Sequence, residues 1–229
     1  MINKKILLIF FLNLISYFAV SQTIKSIKIG NQTWAIENLN VEKFRNGDKI
    51  AYASNSNEWL AFIEAKEPAW CYWEFDSKNS KYGKFYNGYS VIDKRFIAPL
   101  GWKLPSEKDF IELMDYLEGG LVSFDSEIEN IRKVASSKLR SQTKWIGING
   151  TNSSGFSAFP YGTVQTDSTN KKVSFINFGV GAEFWGNELY DDGFMSMLKL
   201  ISIPEKWCCN GVMGSWIGHG CNIRLMREE

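Results

Sequence analysis

The sequence predicts an α+β fold, with helices in the first half of the chain and a sheet that dominates the second half. Two patterns support this fold class. A capped pattern of helical period begins near Ser106, whereas beyond Trp145 apolar and polar residues alternate with the period of a strand. The composition is that of a globular protein, because 45% of the 229 residues are hydrophobic and 15% are aromatic.

Residues 1–21 have the pattern of a secretory signal peptide. Lys4 and Lys5 precede an apolar run of roughly 15 residues, and Ala19 and Ser21 stand at the positions that a signal peptidase reads. A spanning helix needs about 20 apolar residues, so an uncleaved anchor is the weaker alternative. Gln22 follows the expected cleavage site, where a lipoprotein would have cysteine. We therefore expect a secreted, cell-surface or periplasmic protein with no membrane span after cleavage.

Residues 22–229 are expected to form one domain, because a chain of roughly 200 residues suits a single core. The formal charge of the whole chain is +1 and no basic run occurs. Electrostatic binding to nucleic acid is therefore excluded, because it needs clustered lysines and arginines that neutralise phosphates. His219 is the single histidine, so zinc sites with paired imidazoles are also excluded. Its setting between Gly218 and Gly220 favours a structural role over a catalytic one.

The first elements after the signal peptide are predicted to be short. Apolar residues on both sides of a Gly30-Asn31 turn predict a hairpin over residues 23–39. Turn residues dominate the stretch 40–68, which we expect to be mostly loop with a short helix at 58–66. Aromatic residues favour a strand at 69–75.

The best-defined element is a helix over residues 106–118. Ser106 can cap its first free N–H groups, Asp109 can reach back to complete a capping box, and Gly119-Gly120 ends it. A weaker pattern with early acids and late bases predicts a second helix within residues 124–140. The later strands are expected at 156–159, 173–178, 182–189, 194–201 and 221–226.

All four cysteines, Cys71, Cys208, Cys209 and Cys221, lie in the exported part, where disulfides are permitted. A bridge between adjacent residues is geometrically strained, so we expect Cys71 to pair with one of Cys208 and Cys209, and Cys221 to pair with the other. Spacing does not choose between these two pairings. A metal site is the less favoured alternative, because adjacent cysteines lack the gap that lets two thiolates face one ion.

Several segments resemble a known family, in the same order along the chain. Residues 30–40 read GNQTWAIENLN and are similar to the GxQxWMxENLN opening of the Fibrobacter succinogenes major paralogous domain. Further similar segments are YGKFYN at 82–87, PLGWKLPS at 99–106, KLRS through tryptophan at 138–145, GTNSSGFSAFP at 150–160, and the closing segment 220–225. The resemblance marks the following residues as structural: Trp34, Gly101, Trp102, Pro105, Ser106, Trp145 and Phe156.

The segment around Pro105 is also similar to one in formylglycine-generating enzymes, whose fold is C-type-lectin-like. By analogy, the resemblance implies a C-type-lectin-like fold, in which two helices flank a compact, loop-rich antiparallel sheet and the chain ends lie close together. Two departures from the family pattern matter. Ala98 and Leu225 stand where the family has cysteines, which implies that one bridge is lost, and Lys103 replaces a common histidine.

A cluster near the end of the 182–189 strand is the predicted ligand site. It combines an aromatic ring with oxygen ligands, in Trp185, Asn187, Glu188, Asp191 and Asp192, with Glu183 nearby. A sugar ring can stack its C–H face on tryptophan, and Ca²⁺ takes about six to eight oxygen ligands. The cluster thus predicts a carbohydrate site; no cofactor is expected, and bound Ca²⁺ is the less favoured alternative. The alternative, which the spacing favours, is a core strand with Trp185 buried that leads into an acidic turn.

The sequence favours a protein that binds a ligand over one that catalyses a reaction. The expected ligand is a surface glycan or an extracellular protein. Two alternatives stay open: an enzyme like the formylglycine-generating group that uses a cysteine pair, and a structural component of an extracellular assembly or adhesin. Exposed aromatic side chains would mark a ligand surface, and we expect them among the tryptophans outside the family segments, Trp59, Trp70, Trp73, Trp207 and Trp216.

Overall fold

Thirteen β-strands and four α-helices form the part of the chain that the computed structural model describes, residues 24–120, 132–202 and 210–228. The predicted signal peptide lies outside the described residues, as do residues 124–131 of the second predicted helix, Trp207, Cys208 and Cys209. No helix within the described ranges is long and apolar enough to cross a membrane. The predicted α+β class is confirmed, with strands more numerous than helices.

The elements follow one another in this chain order: β1 (Ser26–Ile29), β2 (Gln32–Ala35), β3 (Ala51–Tyr52), α1 (Ser56–Glu64), β4 (Ala69–Cys71), two 3₁₀ turns (Trp73–Phe75 and Ser77–Tyr82), β5 (Phe85–Asn87), α2 (Gly88–Val91), β6 (Trp102–Lys103), α3 (Glu107–Glu118), α4 (Lys133–Leu139), β7 (Tyr161–Asp167), β8 (Lys172–Phe178), β9 (Gly181–Leu189), β10 (Phe194–Ile201), β11 (Gly211–Trp216), β12 (Gly220–Cys221) and β13 (Met226–Arg227).

A four-stranded sheet of order β1-β2-β13-β6 joins the two ends of the described chain. Strands β1 and β2 form the predicted opening hairpin, and Gly30 turns it with a φ of +59°. Strand β13 pairs with β2 through Met226 and Trp34, and with β6 through Met226 and Lys103. The last strand therefore lies between the first hairpin and the Gly-Trp turn.

A nine-stranded sheet carries most of the remaining structure. Its order is β11-β10-β9-β7-β12-β5-β4-β3, and β8 pairs with β7 off this path. Most neighbours are antiparallel, but β3 with β4 and β7 with β9 are parallel, so the antiparallel sheet that we expected is mixed. The chain between the parallel partners contains α1 in one case and β8 in the other, which gives it room to cross over.

Helix α3 begins and ends where the sequence predicts. The Ser106 hydroxyl accepts from the Asp109 N–H, the Asp109 carboxylate accepts from the Ser106 N–H, and Gly119 closes the helix with a φ of +96°. Helix α1 starts at Ser56 rather than at residue 58, because the Asn55 side chain accepts from a backbone N–H of the first turn. Of the second predicted helix the structure describes residues 132–140, and helix α4 covers Lys133–Leu139.

Positive backbone angles explain where the strand predictions are wrong. Residues 156–159 alternate like a strand but form none, because Ser157 has a φ of +56°, and β7 begins only after Pro160. The strand predicted at 69–75 ends at Cys71, and Glu74 turns the chain with a φ of +54°. The predicted strand 221–226 divides into β12 and β13, and β11 was not predicted.

The core forms where helix α3 packs against Trp34 and the strands. The Trp34 ring stacks on Phe110 with centroids 5.7 Å apart and meets Phe156 edge-on at 5.6 Å. Trp34, Phe156, Trp102 and Trp145 are all buried. Gly101 turns the chain before Trp102 with a φ of +81°.

The two described cysteines differ from the prediction, because Cys71 and Cys221 are free thiols with no exposed surface. Cys71 on β4 lies opposite Phe85, and Cys221 on β12 lies opposite Tyr86, so β5 separates the two cysteines. Adjacent strands are about 4.8 Å apart, and the neighbouring residues Phe85 and Tyr86 face opposite sides of the sheet, so the two cysteines do as well. They therefore cannot bridge each other. Each packs in an apolar cluster as a small hydrophobic residue, which is the usual behaviour of buried cysteine.

Candidate functional site

Trp185, the aromatic residue of the predicted ligand cluster, has no exposed surface. Its indole Nε1 donates to the Tyr86 carbonyl at 2.7 Å, and it packs in a core cluster with Met195 and Met197. A ring without exposed surface cannot stack on a sugar, so the predicted aromatic platform is wrong at this position. The alternative, a core strand, describes Trp185 correctly.

Two polar residues of the same cluster connect strand β9 to the start of helix α3. The Glu188 carboxylate accepts from the Glu107 N–H at 2.7 Å and from the Ser196 hydroxyl at 2.9 Å. The Asn187 N–H donates to the Pro105 carbonyl at 3.0 Å. An acid bonded to a free N–H group of a first helical turn stabilises that helix. Glu188 and Asn187 therefore hold the fold together.

The remaining acids of the cluster do not form a metal site. Asp191 and Asp192 are exposed on the turn after β9, where Asp192 accepts from the Phe194 N–H at 3.1 Å. Glu183 is buried and forms an ion pair of 3.2 Å with Lys199. Across residues 24–120, 132–202 and 210–228, no three His, Cys, Asp or Glu side chains are placed to hold a metal ion.

The tryptophans outside the family segments do not form the exposed surface that we expected. Trp59, Trp70 and Trp73 are buried in core clusters, and Trp207 lies outside the described residues. Trp216 is half-buried and lines a cleft. Large rings bury the most apolar area, so their burial in the core contributes the most to folding.

That cleft, which we call the polar cleft, has a volume of about 480 Å³ and is lined by Gln165, Thr166, Asp167, Ser168, Lys172, Ser174, Phe194, Trp216 and His219. Burial lowers the pKa of His219, so its ring is neutral at pH 7. His219 Nδ1 lies 3.1 Å from Ser215 Oγ, but Ser215 is buried and is not part of the lining. The pair holds the loop before β12 and does not face the cleft as a nucleophile and base.

A second cleft is lined by aromatic side chains. Two depressions of about 240 and 340 Å³ share Lys81, Tyr82 and Tyr161, and together we call them the aromatic cleft. Tyr161 stacks on Phe159 with centroids 5.5 Å apart, and Tyr82 lies 5.2 Å from Tyr161 and 5.0 Å from Phe178. Phe178 is 41% exposed. These four rings contact one another in a row, in which Tyr161 is buried, Tyr82 and Phe159 are half-buried, and Phe178 reaches solvent.

Two lysines stand over these rings. Lys81 Nζ lies 5.1 Å from the centroid of Tyr82, and Lys144 Nζ lies 4.8 Å from that of Phe159 and 5.6 Å from that of Tyr161. Both side chains are exposed. Neither ammonium forms an ion pair with any residue that the structure describes. The rim of the aromatic cleft is therefore positively charged.

Arg224 lies at the floor of the aromatic cleft and is buried. Its guanidinium donates to Asn38 Oδ1, at 2.7 Å from Nη2, and to the carbonyls of Ala35 and Phe156. The rings of Phe156 and Phe184 lie 4.4 and 5.2 Å from its Cζ. Burial lowers the pKa of Arg224 to about 9, which still leaves it charged at pH 7. The floor thus holds a cation whose partners are neutral oxygens and aromatic faces.

Comparison with known families agrees with the sequence motifs. The model of the Fibrobacter succinogenes major domain matches residues 27–226. The chain belongs to this family. Searches among curated proteins and among solved structures each gave no match.

The segments typical of the Fibrobacter succinogenes major domain meet at the aromatic cleft, although they are far apart in the chain. Asn38 comes from the opening segment, Tyr82 from the second, Phe159 from the GFSAFP segment and Arg224 from the closing one. A segment that served only the core would not need to line a cleft. The motifs of the Fibrobacter succinogenes major domain therefore build a surface as well as a core.

Two residues that line this cleft adopt left-handed backbone conformations. Lys144 has a φ of +74° and Ser157 a φ of +56°. The Asn152 side chain holds the second turn, since it accepts from the Ser157 N–H at 2.8 Å and donates to its hydroxyl at 2.9 Å.

Sequence reasoning missed the aromatic cleft, although part of the signal was present. Tyr82 and Phe159 lie in family segments, but neither is among the residues to which the sequence assigns a role. Lys144 and Phe178 lie outside the quoted motif letters, and no local pattern sets them apart. The pairing of β7 with β8 puts Tyr161 opposite Phe178, and the hydrogen bond from the Ile146 N–H to the Gly179 carbonyl brings the segment of Lys144 to the same surface.

Proposed function

We propose that this protein is a non-catalytic binding protein and that its aromatic cleft recognises a glycan. The observation that carries this proposal is the cluster of Tyr82, Phe159, Tyr161 and Phe178 beside two lysines, in which Phe178 is exposed, Tyr82 and Phe159 are half-buried, and Tyr161 is buried between them. Sugar rings present apolar C–H faces that pack on aromatic rings, and polar groups at the rim then fix their orientation. Aromatic rings open to solvent on one side commonly mark an interaction surface.

The exposure of Phe178 supports the proposal. Strand β8 ends at Phe178, whose ring touches Trp73 on its buried side and leaves 41% of its surface in solvent. A ring that served the core alone would gain free energy from full burial, at about 25 cal/mol per Å². A ligand that covers the exposed part of Phe178 would gain the free energy of burying it.

The described cysteine chemistry gives the enzymatic alternative little support. A catalyst like the formylglycine-generating group needs a reactive thiolate, whereas burial and the nearby Glu183 raise the pKa of Cys221 well above its ordinary value. Cys221 Sγ also lies 3.4 Å from the Thr163 hydroxyl, in the interior. A thiol in this environment stays protonated and inert.

A protein ligand is the second candidate, and one observation favours it. Ile146 and Ile148 are 59% and 67% exposed, and the Ile146 N–H donates to the carbonyl of Gly179, the residue after Phe178. An apolar extension of the aromatic cleft suits a protein surface, or a neighbouring molecule in an extracellular assembly, better than it suits a sugar.

Two further proposals accompany the function. We propose that residues 1–21 are cleaved and that the protein acts outside the cytoplasm; Gln22 as the first residue of exported material, measured by mass spectrometry, would support this. We also propose the C-type-lectin-like arrangement. The pairing of β2 with β13 near the two ends, and the packing of α3 against α4 and the strands, support it.

A glycan array tests the proposal. The full-length chain, expressed and collected by export, is applied to neutral and acidic oligosaccharides of plant, animal and bacterial surfaces. Phe178→Ala is the test variant, and Phe194→Ala, which is 40% exposed in the wild type and lines the polar cleft, is the matched control. Thermal unfolding of both variants establishes that they fold.

We expect the wild type and Phe194→Ala to bind the same glycans, and Phe178→Ala to bind them about 10-fold more weakly or worse. If the wild type binds no glycan, the proposal fails and the protein ligand takes its place. If Phe194→Ala loses binding and Phe178→Ala keeps it, the polar cleft is the site instead.

A further inference from the structure

The charges around the aromatic cleft indicate more about the ligand than its rings do. We infer that the bound sugar carries an anionic group, a carboxylate or a sulfate, which pairs with Lys81 and Lys144. This inference rests on the proposed glycan function and names the class of glycan. It is drawn from the positions of the three cations and the single acid that line the cleft.

Lys81 and Lys144 are placed to meet an anion on a stacked ring. Each ammonium lies about 5 Å from the centroid of a cleft ring, and the Lys144 ammonium also donates to the Tyr161 hydroxyl at 3.5 Å. An exposed cation–π contact contributes only about 0.5–1 kcal/mol. A hydrogen-bonded ion pair with a ligand is stronger, so a sugar that displaces the lysines from the ring faces offers them a better partner.

The one acid that lines the aromatic cleft offsets only part of its positive charge, because it acts on Arg224, where burial lowers the pKa and this acid raises it. Glu37 is its one acidic lining residue, and Glu37 forms an ion pair of 3.3 Å with Lys25 outside the lining. Arg224 adds a third positive charge at the floor, where Asn38 and backbone carbonyls hold its guanidinium. Three cations and one acid leave a net positive charge on the lining, and such an excess focuses the field on a ligand of the opposite sign.

The polar cleft offers a useful contrast within the same molecule. Lys172 and Asp167 line it together, so its charges are of both signs. Its rings also neighbour one another, since Phe194 lies opposite Trp216 in the pairing of β10 with β11 and Trp216 meets His219 edge-on, so the contrast is one of charge. Lys172 therefore provides a matched lysine that is exposed in a cleft without the predicted role.

Isothermal titration with matched sugar pairs tests the inference. The probes are trigalacturonate and its neutral methyl ester, and a sulfated galactose oligosaccharide and its desulfated form. The first pair tests a carboxylate and the second a sulfate. Lys81→Gln and Lys144→Gln are the test variants, Lys172→Gln is the control, and each titration is repeated at low and high salt.

We expect at least one charged probe to bind about 10-fold more tightly than its neutral form, and each test variant to lose about 3- to 10-fold of that affinity. Added salt should weaken the charged probe and leave the neutral one unchanged. Lys172→Gln should bind like the wild type.

Several outcomes would overturn the inference. One such outcome is equal affinity for the charged and neutral forms, and another is a test variant that binds like the wild type. Either would show that these lysines do not bind the anionic group of the ligand. If none of the four probes binds, the inference also fails. In each case the proposed function is judged separately, by whether Phe178→Ala loses the glycans that the array identifies.

Discussion

The acidic end of β9 and the aromatic cleft both combine rings with charged side chains, but the structure uses them in opposite ways. At the end of β9 the ring of Trp185 is buried and the Glu188 carboxylate bonds to helix α3. In the aromatic cleft the ring of Phe178 is partly exposed, and the Lys144 ammonium has no ion-pair partner among the described residues. One region stabilises the fold, and the other has unused interaction capacity.

The difference shows that proximity in sequence is a poor guide to a site on a strand. Trp185 and Glu188 are three residues apart, yet side chains along a strand alternate between faces, and a bulge in the pairing of β9 with β10 shifts the register between them. The residues of the aromatic cleft come from segments up to about 190 positions apart, and all of them face one surface.

The largest expected effect is on Trp185. Trp185→Ala should lower the free energy of unfolding by about 3–5 kcal/mol, because it opens a cavity in the core and leaves the Tyr86 carbonyl without its donor. Chemical denaturation measures it, and the milder Trp185→Phe covers the case in which the alanine variant does not fold. Phe178→Ala should cost much less. If Trp185→Ala and Phe178→Ala lowered the free energy of unfolding equally, the distinction between a buried and an exposed ring would be contradicted.

A smaller effect is expected at Glu188. Glu188→Ala should lower the free energy of unfolding by about 1–2 kcal/mol, because the Glu107 N–H and the Ser196 hydroxyl lose their acceptor. Asp191→Ala, on the turn that follows β9, is the control, and it should stay within about 0.5 kcal/mol of the wild type because Asp191 is exposed. A large cost at Asp191 with none at Glu188 would reverse the assignment of structural roles.

The smallest effect is a pH dependence at the same end of helix α3. Burial acts to raise the pKa of Asp109, but hydrogen bonds from the Ser106 N–H and the Lys103 ammonium outweigh it and hold the pKa below its ordinary value. A lowered carboxyl pKa contributes stability that is present above about pH 4 and is lost as the pH falls through the folded-state pKa.

The stability advantage of the wild type over Asp109→Asn should therefore shrink as the pH falls below about 4. Denaturant unfolding of both proteins from pH 7 to pH 2.5 measures it. An advantage that stays constant down to pH 2.5 would mean that the capping carboxylate does not titrate in this range.

The comparison also indicates which features can be read from sequence. The capping box of α3 depends on Ser106 and Asp109, three residues apart, and the opening hairpin depends on a turn at Gly30, so short-range chemistry was enough to predict both. The burial of Trp34 followed from its place in a family segment. The prediction that the two described cysteines form disulfides was wrong, because a disulfide depends on strand positions that the spacing along the sequence does not encode.

The sequence by itself therefore determined the α+β class, the capped helix, the opening hairpin and membership of the Fibrobacter succinogenes major domain family. Only the tertiary structure decided which aromatic rings reach solvent. Helix caps and turns are set by groups within a few residues of one another, whereas the exposure of a ring depends on what packs over it from elsewhere in the chain. Trp185 is covered in this way, and Phe178 is left partly open.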